Sequence, residues 1–392
     1  MNRFAGTARL LAVAGLLAFS WLPLLAADAA KTGSTKTNFI ARLETLQGYQ
    51  VLSLKGTPEE MGAAGGRLLK PVIQKVVKAM ITDGIGADPA AYTNILRGSQ
   101  VMERFQPEEY RRELKAMARA ADVKYDDLLM LQYFGDVRRC IGGAGSAPMC
   151  TSFAVLPPLT PTNTCIVGRN LDYFDNGVGD YAALLVYYEP KGKIPFVTVT
   201  WAGVINGWTL LNRKGIVVSN NTVVGGKQKS LEGVSTCFLL RYIAENASSV
   251  DDGIKLAREA KRSCATAVLV ASGQPPDAAI LEFDSAGFVV RRAEKGFVGA
   301  ANGFLALYEE NTRPYTGRIG RALELATQHR GRVGLATRIP DDDGVPIEGM
   351  NLHCAAIDAG ALRLRVAMGK IPACKQPFKT FQLTEKGLVA AP

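Results

Sequence analysis

The sequence predicts an α+β protein in which two antiparallel sheets lie between outer helices, as a four-layer αββα sandwich. Two observations predict this fold. In the first part of the chain apolar residues recur at helical spacing, whereas from residue 150 onward short apolar segments alternate with turn sequences. The chain has 392 residues, of which 47% are hydrophobic, so it can bury a sizeable core. Two sheets with helices on their outer faces give every element a buried side.

The first part of the chain is predicted to be mainly helical. A short strand at 49–54 leads to Thr-Pro-Glu-Glu at 57–60, a capping box with proline in the first turn. This box begins a helix that runs toward residue 81. Further helices are predicted at 90–101, 107–121 and 125–138. The glycine-rich stretch 142–149 then separates a leading segment, residues 31–149, from a predicted catalytic domain, residues 150–392.

The catalytic domain is predicted to hold an antiparallel meander, two crossing helices and a second set of strands. Turn sequences such as Glu-Pro-Lys-Gly-Lys at 189–193 separate the strands. The predicted strands are 150–155, 164–168, 168–173, 183–188, 196–201, 208–211, 216–219, 265–271, 278–283, 288–292, 352–358 and 362–368. The predicted helices are 236–245, 250–261 and 319–328.

Residues 1–30 are predicted to be a secretory signal peptide. They begin with Arg3 and Arg9, continue through an apolar run at 10–25 and end in a stretch of small residues. No later apolar stretch is long enough to span a bilayer. The mature protein is therefore expected to be periplasmic or secreted, without stable membrane insertion.

Charge and motif content exclude several kinds of partner. The formal net charge is +10, but the basic residues are scattered and no basic run is interleaved with aromatic residues, so we predict no nucleic-acid partner. The glycine-rich stretch lacks the lysine and hydroxyl residue of a phosphate loop. No His-Glu-x-x-His, Cys-x-x-Cys or calcium-loop pattern occurs. We therefore predict neither a metal nor a cofactor.

The pairing of a thiol with an arginine and an aspartate is the main indication of chemistry. Cys150 begins a predicted strand, and Arg169 and Asp172 lie on the next one, so all three are expected at one sheet edge. A guanidinium near a cysteine favours the thiolate, which is the nucleophile of covalent catalysis. The sequence therefore predicts that Cys150 is a catalytic nucleophile.

The base that would serve this nucleophile is not a well-placed histidine. The chain contains only His329 and His353, and neither lies in a segment that resembles a catalytic loop. A free α-amine, created by cutting the peptide bond before Cys150, has a pKa of about 7.7 to 8.0 and suits a general base near neutrality. A papain-like thiol protease that uses one of the histidines stays open as an alternative.

The other six cysteines form an even set in a chain expected to be exported. Three disulfides among them would allow fifteen connectivities, and the sequence does not choose among these. Buried free thiols are an equally good interpretation. The six are Cys140, Cys165, Cys237, Cys264, Cys354 and Cys374.

In combination, these features resemble a known family: the autoproteolytic N-terminal-nucleophile enzymes related to penicillin (isopenicillin-N) acyltransferase. Bile-salt hydrolase and lysosomal acid amidases are more distant members of the same group. The resemblance is carried, in order along the chain, by residues 56–62, 150–152, 168–172, 212–221, 301–304 and 316–318.

The resemblance implies a mechanism of maturation and a role for each site residue. The Cys150 thiol would attack the carbonyl of Met149, leaving Cys150 as a new N-terminus and the leading segment as a tightly associated subunit. Asp172 would orient the α-amine and Arg169 would stabilise the thiolate. The remaining residues that the resemblance assigns to the site are Asn221 and Asn302, as oxyanion donors, and Arg318, in the same network.

Several alternatives stay open at the level of single residues. Asn220 adjoins Asn221 and could take its place. Arg169 and Asp172, three apart, would face opposite sides of a regular strand. Met149 stands where penicillin acyltransferase has glycine, and Asn302 precedes glycine rather than the histidine often found there.

Hydrolysis of an N-acyl amide is the predicted activity. Water surrounds an exported enzyme, whereas coenzyme A, the acyl donor of the transferase relatives, is scarce outside the cell. Acyl transfer to an amine, hydrolysis of esters or phospholipids by the same nucleophile, and a non-catalytic binding protein that is never processed remain the alternatives.

Overall fold

A computed structural model describes residues 40–142, 150–161, 164–173, 175–223, 226–310, 312–335 and 350–392. The predicted signal peptide at 1–30 and Met149, the predicted cleavage position, lie outside the described residues. These described residues form one compact unit, to which the described parts of the leading segment and of the predicted catalytic domain belong. No helix in the described ranges has the length and apolar character needed to cross a membrane.

The leading segment consists of a hairpin followed by helices. Its elements are β1 (Ile40–Leu46), β2 (Tyr49–Gly56), α1 (Pro58–Leu68), α2 (Lys70–Val77), α3 (Pro89–Glu103), α4 (Glu108–Ala121) and α5 (Tyr125–Ile141), with a π-helical turn at Lys78–Thr82 and a 3₁₀ turn at Ile85–Ala87.

The predicted capping box is confirmed, but the helix that follows it is shorter than predicted. The Thr57 hydroxyl accepts from the Glu60 N–H at 3.3 Å, and the Glu60 carboxylate accepts from the Thr57 N–H at 2.8 Å. The single helix predicted to run toward residue 81 was wrong, since α1 ends at Leu68 and α2 begins at Lys70. Pro71 has no N–H to continue the helical hydrogen-bond ladder, which accounts for the break.

The remaining elements begin directly after Cys150. They are β3 (Thr151–Val155), β4 (Ile166–Asp172), α6 (Gly179–Ala182), β5 (Ala183–Pro190), β6 (Phe196–Trp201), β7 (Thr209–Asn212), β8 (Ile216–Thr222), α7 (Thr236–Asn246), α8 (Val250–Glu259), β9 (Thr266–Gly273), β10 (Pro276–Phe283), β11 (Phe288–Arg292), β12 (Phe297–Ala300), α9 (Gly317–Gln328), β13 (Asn351–Asp358), β14 (Arg363–Met368), a 3₁₀ turn (Ala373–Lys375), β15 (Lys379–Thr384) and β16 (Gly387–Ala391). Four of the strands, β1, β12, β15 and β16, were not predicted.

Two sheets form the centre of the molecule. The nine-stranded sheet has the order β1-β2-β5-β6-β7-β8-β9-β10-β11, and the seven-stranded sheet has the order β12-β3-β4-β13-β14-β15-β16. Neighbouring strands run antiparallel, apart from one parallel pair, β2 with β5. The predicted α+β fold with two antiparallel sheets is confirmed, and the parallel pair is a local departure from it.

Apolar side chains join the layers in the predicted order. Between the sheets, Val199 and Leu269 of the nine-stranded sheet pack in one cluster with Val167 and Val366 of the seven-stranded sheet. A second cluster joins the helices of the leading segment, together with α7 and α8, to the other face of the nine-stranded sheet. On the far side, Ile319 and its neighbours on α9 cover β3 and β12. The result is a four-layer αββα sandwich.

Candidate active site

Cys150 lies where β3 begins, beside the end of β4. Thr151 pairs with Asn170 across these two strands. The Cys150 S–H donates to the backbone carbonyl of Asp172, with 3.7 Å between sulfur and oxygen. Cys150 is 2% exposed. The prediction that this thiol and the end of β4 share one sheet edge is therefore confirmed.

A pocket opens over this thiol. It is partly open to solvent. Its wall is largely apolar and includes Trp201 and Trp208, whose rings meet edge to face at 5.2 Å. The lining residues besides these are Leu131, Gln132, Phe134, Gly135, Asp136, Arg139, Cys150, Leu171, Tyr173, Val204, Asn206, Asn220, Thr222, Ser235, Cys237 and Leu352. An apolar pocket with a few polar groups beside a thiol is suited to bind a small organic substrate.

Arg169 is buried behind the nucleophile with part of its hydrogen-bonding capacity unused. It is 2% exposed, and its Nη1 donates to Asn221 Oδ1 at 3.0 Å and to the carbonyls of Asn170 at 2.9 Å and Thr151 at 3.4 Å. Among the described residues, its Nε and Nη2 have no partner. Burial raises the pKa of the Cys237 thiol, whereas the charge of Arg169 lowers it, so the field of this arginine reaches the pocket.

Asp172 is held by a residue that the sequence did not indicate. Asn351 Nδ2 donates to Asp172 Oδ1 at 2.7 Å, and Asn351 Oδ1 accepts from the backbone N–H of Cys374 at 2.6 Å. The register between β4 and β13 shifts between Asn351 and His353, which places Asn351 opposite Asp172. Sequence reasoning missed Asn351 because it is 179 positions away from Asp172 and lies in no motif.

The two adjacent asparagines on β8 face different layers, as the alternation of a strand requires. Asn221 accepts from Arg169 and, at 3.3 Å, from the Ser152 hydroxyl. Asn220 and Thr222 line the pocket together with Cys150. In the described part of the chain, Asn221 Nδ2 and Asn220 Oδ1 are buried without hydrogen-bond partners. The geometry therefore places Asn220, the alternative to Asn221, on the substrate side.

Arg318 connects Asn302 to the nucleophile. One of its terminal nitrogens, Nη2, donates to Asn302 Oδ1 at 3.1 Å and to the backbone carbonyl of Cys150 at 3.3 Å. Asn302 Nδ2 donates to the carbonyl of Thr222 at 2.7 Å. The predicted group of Cys150, Asn302 and Arg318 is thus brought together, although the Asn302 amide donates to the backbone in this arrangement.

The two histidines are placed unfavourably for the papain-like alternative. His353 is 2% exposed and its Nε2 lies 2.8 Å from the Thr209 hydroxyl. Burial and the charge of Arg169 lower the pKa of His353 well below its usual range. His329 is exposed at the end of α9. Neither histidine lines the pocket around Cys150.

Residues 159–331 match the model of the acyl-coenzyme A:6-aminopenicillanic acid acyltransferase family. The predicted family resemblance is confirmed over these residues. The matched segment contains Arg169, Asp172, Asn221, Asn302 and Arg318, whereas Cys150 lies nine positions before it. The chain is therefore similar to this acyltransferase family over 173 of its 392 residues.

Single proteins resemble the chain more weakly. Protein dcd1A of Dictyostelium discoideum is 21% identical over 254 residues, which are 57% of this chain and 56% of that protein. The chain thus spans about half the length of this curated relative.

Two solved structures are also similar to the chain. An N-acylethanolamine-hydrolyzing acid amidase ortholog from Caenorhabditis elegans is 14% identical, with a TM-score of 0.42, over 62% of this chain and 100% of that one. Penicillin V acylase from Agrobacterium tumefaciens is 12% identical, with a TM-score of 0.42, over 60% of this chain and 91% of that one.

Proposed function

We propose that the protein is an exported, self-cleaving cysteine hydrolase that releases an acyl group from an N-acyl amide through a thioester on Cys150. The observation that carries this proposal is the position of Cys150: a thiol at the start of a strand, in an apolar pocket, next to Thr151, whose carbonyl accepts from the buried and partly unpaired Arg169. The signal-like residues 1–30 support a periplasmic or secreted location.

Maturation would convert a peptide nitrogen into the catalytic base. The Cys150 thiol attacks the carbonyl carbon of Met149, the C–N bond breaks, and water hydrolyses the resulting ester to a carboxylate and a free thiol. The nitrogen of Cys150 becomes an amine, which can accept a proton near neutrality. A peptide nitrogen cannot do so, and the uncut precursor would therefore be inactive.

In the catalytic cycle the α-amine would carry a proton from the thiol to the leaving amine. The α-amine takes the thiol proton as sulfur attacks the acyl carbonyl, and it gives a proton to the departing amine as the C–N bond breaks. Water hydrolyses the thioester and restores the thiol. Asp172 would orient the α-amine, and Arg169 would stabilise the thiolate. Asn220, rather than Asn221, is the β8 amide that lines the pocket, and Asn302 is bonded to the backbone of Thr222 two residues further along β8.

Mass spectrometry and N-terminal sequencing of the purified protein, beside a Cys150→Ala variant, test this function. We expect a fragment that begins Cys-Thr-Ser-Phe in the wild type and a single uncut chain in the variant. Cleaved wild type should then hydrolyse acyl p-nitroanilides, and the variant should not. If both proteins remain single chains, Cys150 has no free amine and the mechanism fails.

Acyl transfer to an amine is the second candidate, because the matched family model is that of an acyltransferase. The two activities differ in the acceptor that resolves the thioester. Acyl thioesters offered with and without an added amine separate them: a faster release of thiol with amine, and an acylated amine as product, would favour the transferase.

A further inference from the structure

The thiols of Cys140 and Cys264 lie 3.1 Å apart, sulfur to sulfur. Cys140 is in the last turn of α5, in the leading segment, and Cys264 comes two residues before β9. The bond of a disulfide is about 2.05 Å long. A movement of about 1 Å would therefore bring these two sulfurs to bonding distance.

The surroundings of the pair favour exchange chemistry. Cys264 is buried, whereas Cys140 is half-buried and can be reached from solvent. The hydrogen bond with Cys140 lowers the pKa of the Cys264 thiol, and so does the charge of Arg139, against burial, which raises it. The same hydrogen bond and burial raise the pKa of Cys140, so the negative charge of the pair lies on Cys264. The thiolate is the reactive form in thiol–disulfide exchange. The pair thus has an accessible first thiol and an activated second one.

We propose that Cys140 and Cys264 form a disulfide that joins the leading segment to the catalytic domain. With oxidised glutathione as the oxidant, the accessible Cys140 thiol gives its proton to Cys264 and attacks one glutathione sulfur, and the other half leaves as a thiolate that takes up a proton from water. The Cys264 thiolate then attacks the Cys140 sulfur and releases the second glutathione. Two protein thiols are oxidised and one glutathione disulfide is reduced to two thiols, so electrons and protons balance.

The bond would keep the two parts of a cleaved chain together. After a cut between Met149 and Cys150, Cys140 and Cys264 belong to different polypeptides. This consequence rests on the proposed self-cleavage, whereas the bond itself does not. The bond would also anchor the neighbouring Arg139, which lines the pocket and donates to the carbonyl of Ala265 at 2.8 Å.

Peptide mapping tests the bond. The protein is incubated with oxidised glutathione, free thiols are blocked by alkylation, and the digest is compared for wild type, Cys140→Ser, Cys264→Ser and the control Cys165→Ala. We expect one linked pair of peptides that contains Cys140 and Cys264 in wild type and control. It should be lost in both serine variants and after reduction.

The outcomes separate this proposal from the proposed function. Linked peptides in an uncut chain would support the disulfide and contradict self-cleavage. In a cut chain, the fragments should migrate together on a non-reducing gel and apart on a reducing one. Alkylation of both thiols after the incubation, lasting glutathione on Cys140, or a bond to another cysteine would overturn the proposal.

A second, independent observation concerns Asn206. This residue lines the pocket, is 2% exposed, and its Nδ2 has no hydrogen-bond partner among the described residues. Buried donors in native proteins are almost always paired. The wall beside it is apolar, with Val204 and Trp208 on the same loop. A lone buried donor in an apolar wall suits an acceptor oxygen of a bound molecule.

The loop that carries Asn206 is held from two sides. Gln132, on α5, donates to the carbonyl of Gly203 at 2.8 Å and accepts from the N–H of Ile205 at 3.0 Å. From α7, Arg241 donates to the carbonyl of Ile205 at 2.6 Å. These bonds hold the backbone on the N-terminal side of Asn206.

We infer that Asn206 donates a hydrogen bond to an acceptor oxygen of the N-acyl substrate, an assignment that rests on the proposed function. The pocket then selects an apolar acyl compound with a carbonyl or hydroxyl oxygen opposite this amide. Gln132 is a positioning residue, and it makes the leading segment part of substrate recognition.

Asn206→Leu separates recognition from structure. Replacement of an unpaired amide should leave the unfolding midpoint unchanged or raise it, while kcat/KM for acyl p-nitroanilides falls about 10- to 100-fold. Asn212 provides the matched control, since its side chain is buried and fully bonded, with donations to the carbonyls of Ala244 and Ala247. Asn212→Leu should therefore lower the unfolding midpoint markedly.

Binding of the same p-nitroanilides to Cys150→Ala protein makes this result independent of turnover. If wild type fails to hydrolyse them but Asn206→Leu still weakens their binding to the Cys150→Ala protein, the proposed function fails and the recognition role stands. Equal binding with and without the Asn206 amide, or destabilisation as large as that of Asn212→Leu, would overturn the inference.

Discussion

The molecule contains two buried arginines with opposite surroundings. Arg241, on α7, is 1% exposed and fully paired: it binds Glu113 through two nitrogens at 2.6 and 3.1 Å and Glu245 at 2.8 Å. The rings of Tyr110 and Tyr188 lie 4.6 and 4.7 Å from its guanidinium carbon. Arg169 is equally buried, but amide and carbonyl oxygens are the partners found for it in the described ranges.

This difference indicates different roles. Two carboxylates, from Glu113 on α4 and Glu245 on α7, pair with the Arg241 guanidinium, so Arg241 joins these two helices as a structural link. A buried charge that keeps unpaired donors attracts any anion formed nearby. Arg169 is therefore suited to a site where a thiolate forms, at the expense of stability.

Loss of Arg241 should have the largest effect on stability. Arg241→Met leaves two buried carboxylates without their cation, and we expect the free energy of unfolding to fall by about 3–5 kcal/mol. Urea denaturation measures this. The control is Arg292→Met, because Arg292 is half exposed and pairs with Asp251 and Asp277 at the surface; it should change stability by about 0.5 kcal/mol or less. Equal losses in both variants would contradict the contrast.

Loss of Arg169 should affect activity instead. Arg169→Met removes a buried charge that lacks a carboxylate partner, so the free energy of unfolding should stay constant or rise. The kcat/KM for an N-acyl amide should fall about 10²- to 10³-fold, the effect of removing one electrostatic stabiliser. Full activity combined with a loss of several kcal/mol in stability would assign Arg169 to the structural class of Arg241.

Asn221→Asp should make Arg169 resemble Arg241. The substitution keeps the shape of the side chain but places a carboxylate 3.0 Å from the guanidinium. A neutralised arginine attracts the Cys150 thiolate less, and we expect the rate of amide hydrolysis to fall at least about tenfold, or about 1.4 kcal/mol in the barrier. Asn220→Asp is the control on the pocket side of β8. Unchanged rates in the Asn221 variant would mean that the charge of Arg169 is not used.

The smallest expected effect of the Arg169 charge is on how the free energy of unfolding changes with pH. Burial and this charge keep His353 neutral in the folded protein, whereas an unfolded histidine takes up a proton below about pH 6.5. Above pH 6.5 the histidine is neutral in both states and has no effect on the free energy of unfolding. Below that value the unfolded state takes up a proton that the folded state does not, so the free energy of unfolding falls by up to about 1.4 kcal/mol per pH unit.

Urea denaturation between pH 7.5 and 5 measures this slope. His353→Gln should reduce the slope, and Arg169→Met should reduce it in part, because burial is the larger cause of the low pKa. A slope that is the same in all three proteins would show that other groups set the pH dependence.

The sequence predicted the layers and most elements because periodicity and turn chemistry are local. It also placed Cys150 and Asp172 at one edge, since consecutive strands tend to pair. It did not predict Asn351 or Asn206, because these enter the site through a register shift and a loop, which no local pattern encodes. Asn220 and Asn221 could not be separated, because their roles depend on which face of β8 meets the pocket.

The parallel pairing of β2 with β5 has a consequence for how the protein could be made. β2 is an interior strand of the nine-stranded sheet, between β1 and β5, although it belongs to the leading segment. If residues up to 149 and residues from 150 onward were expressed as separate pieces, each piece would expose an unpaired sheet edge. The two pieces are therefore expected to be insoluble alone and to recover the fold by complementation, when they are co-expressed or refolded together.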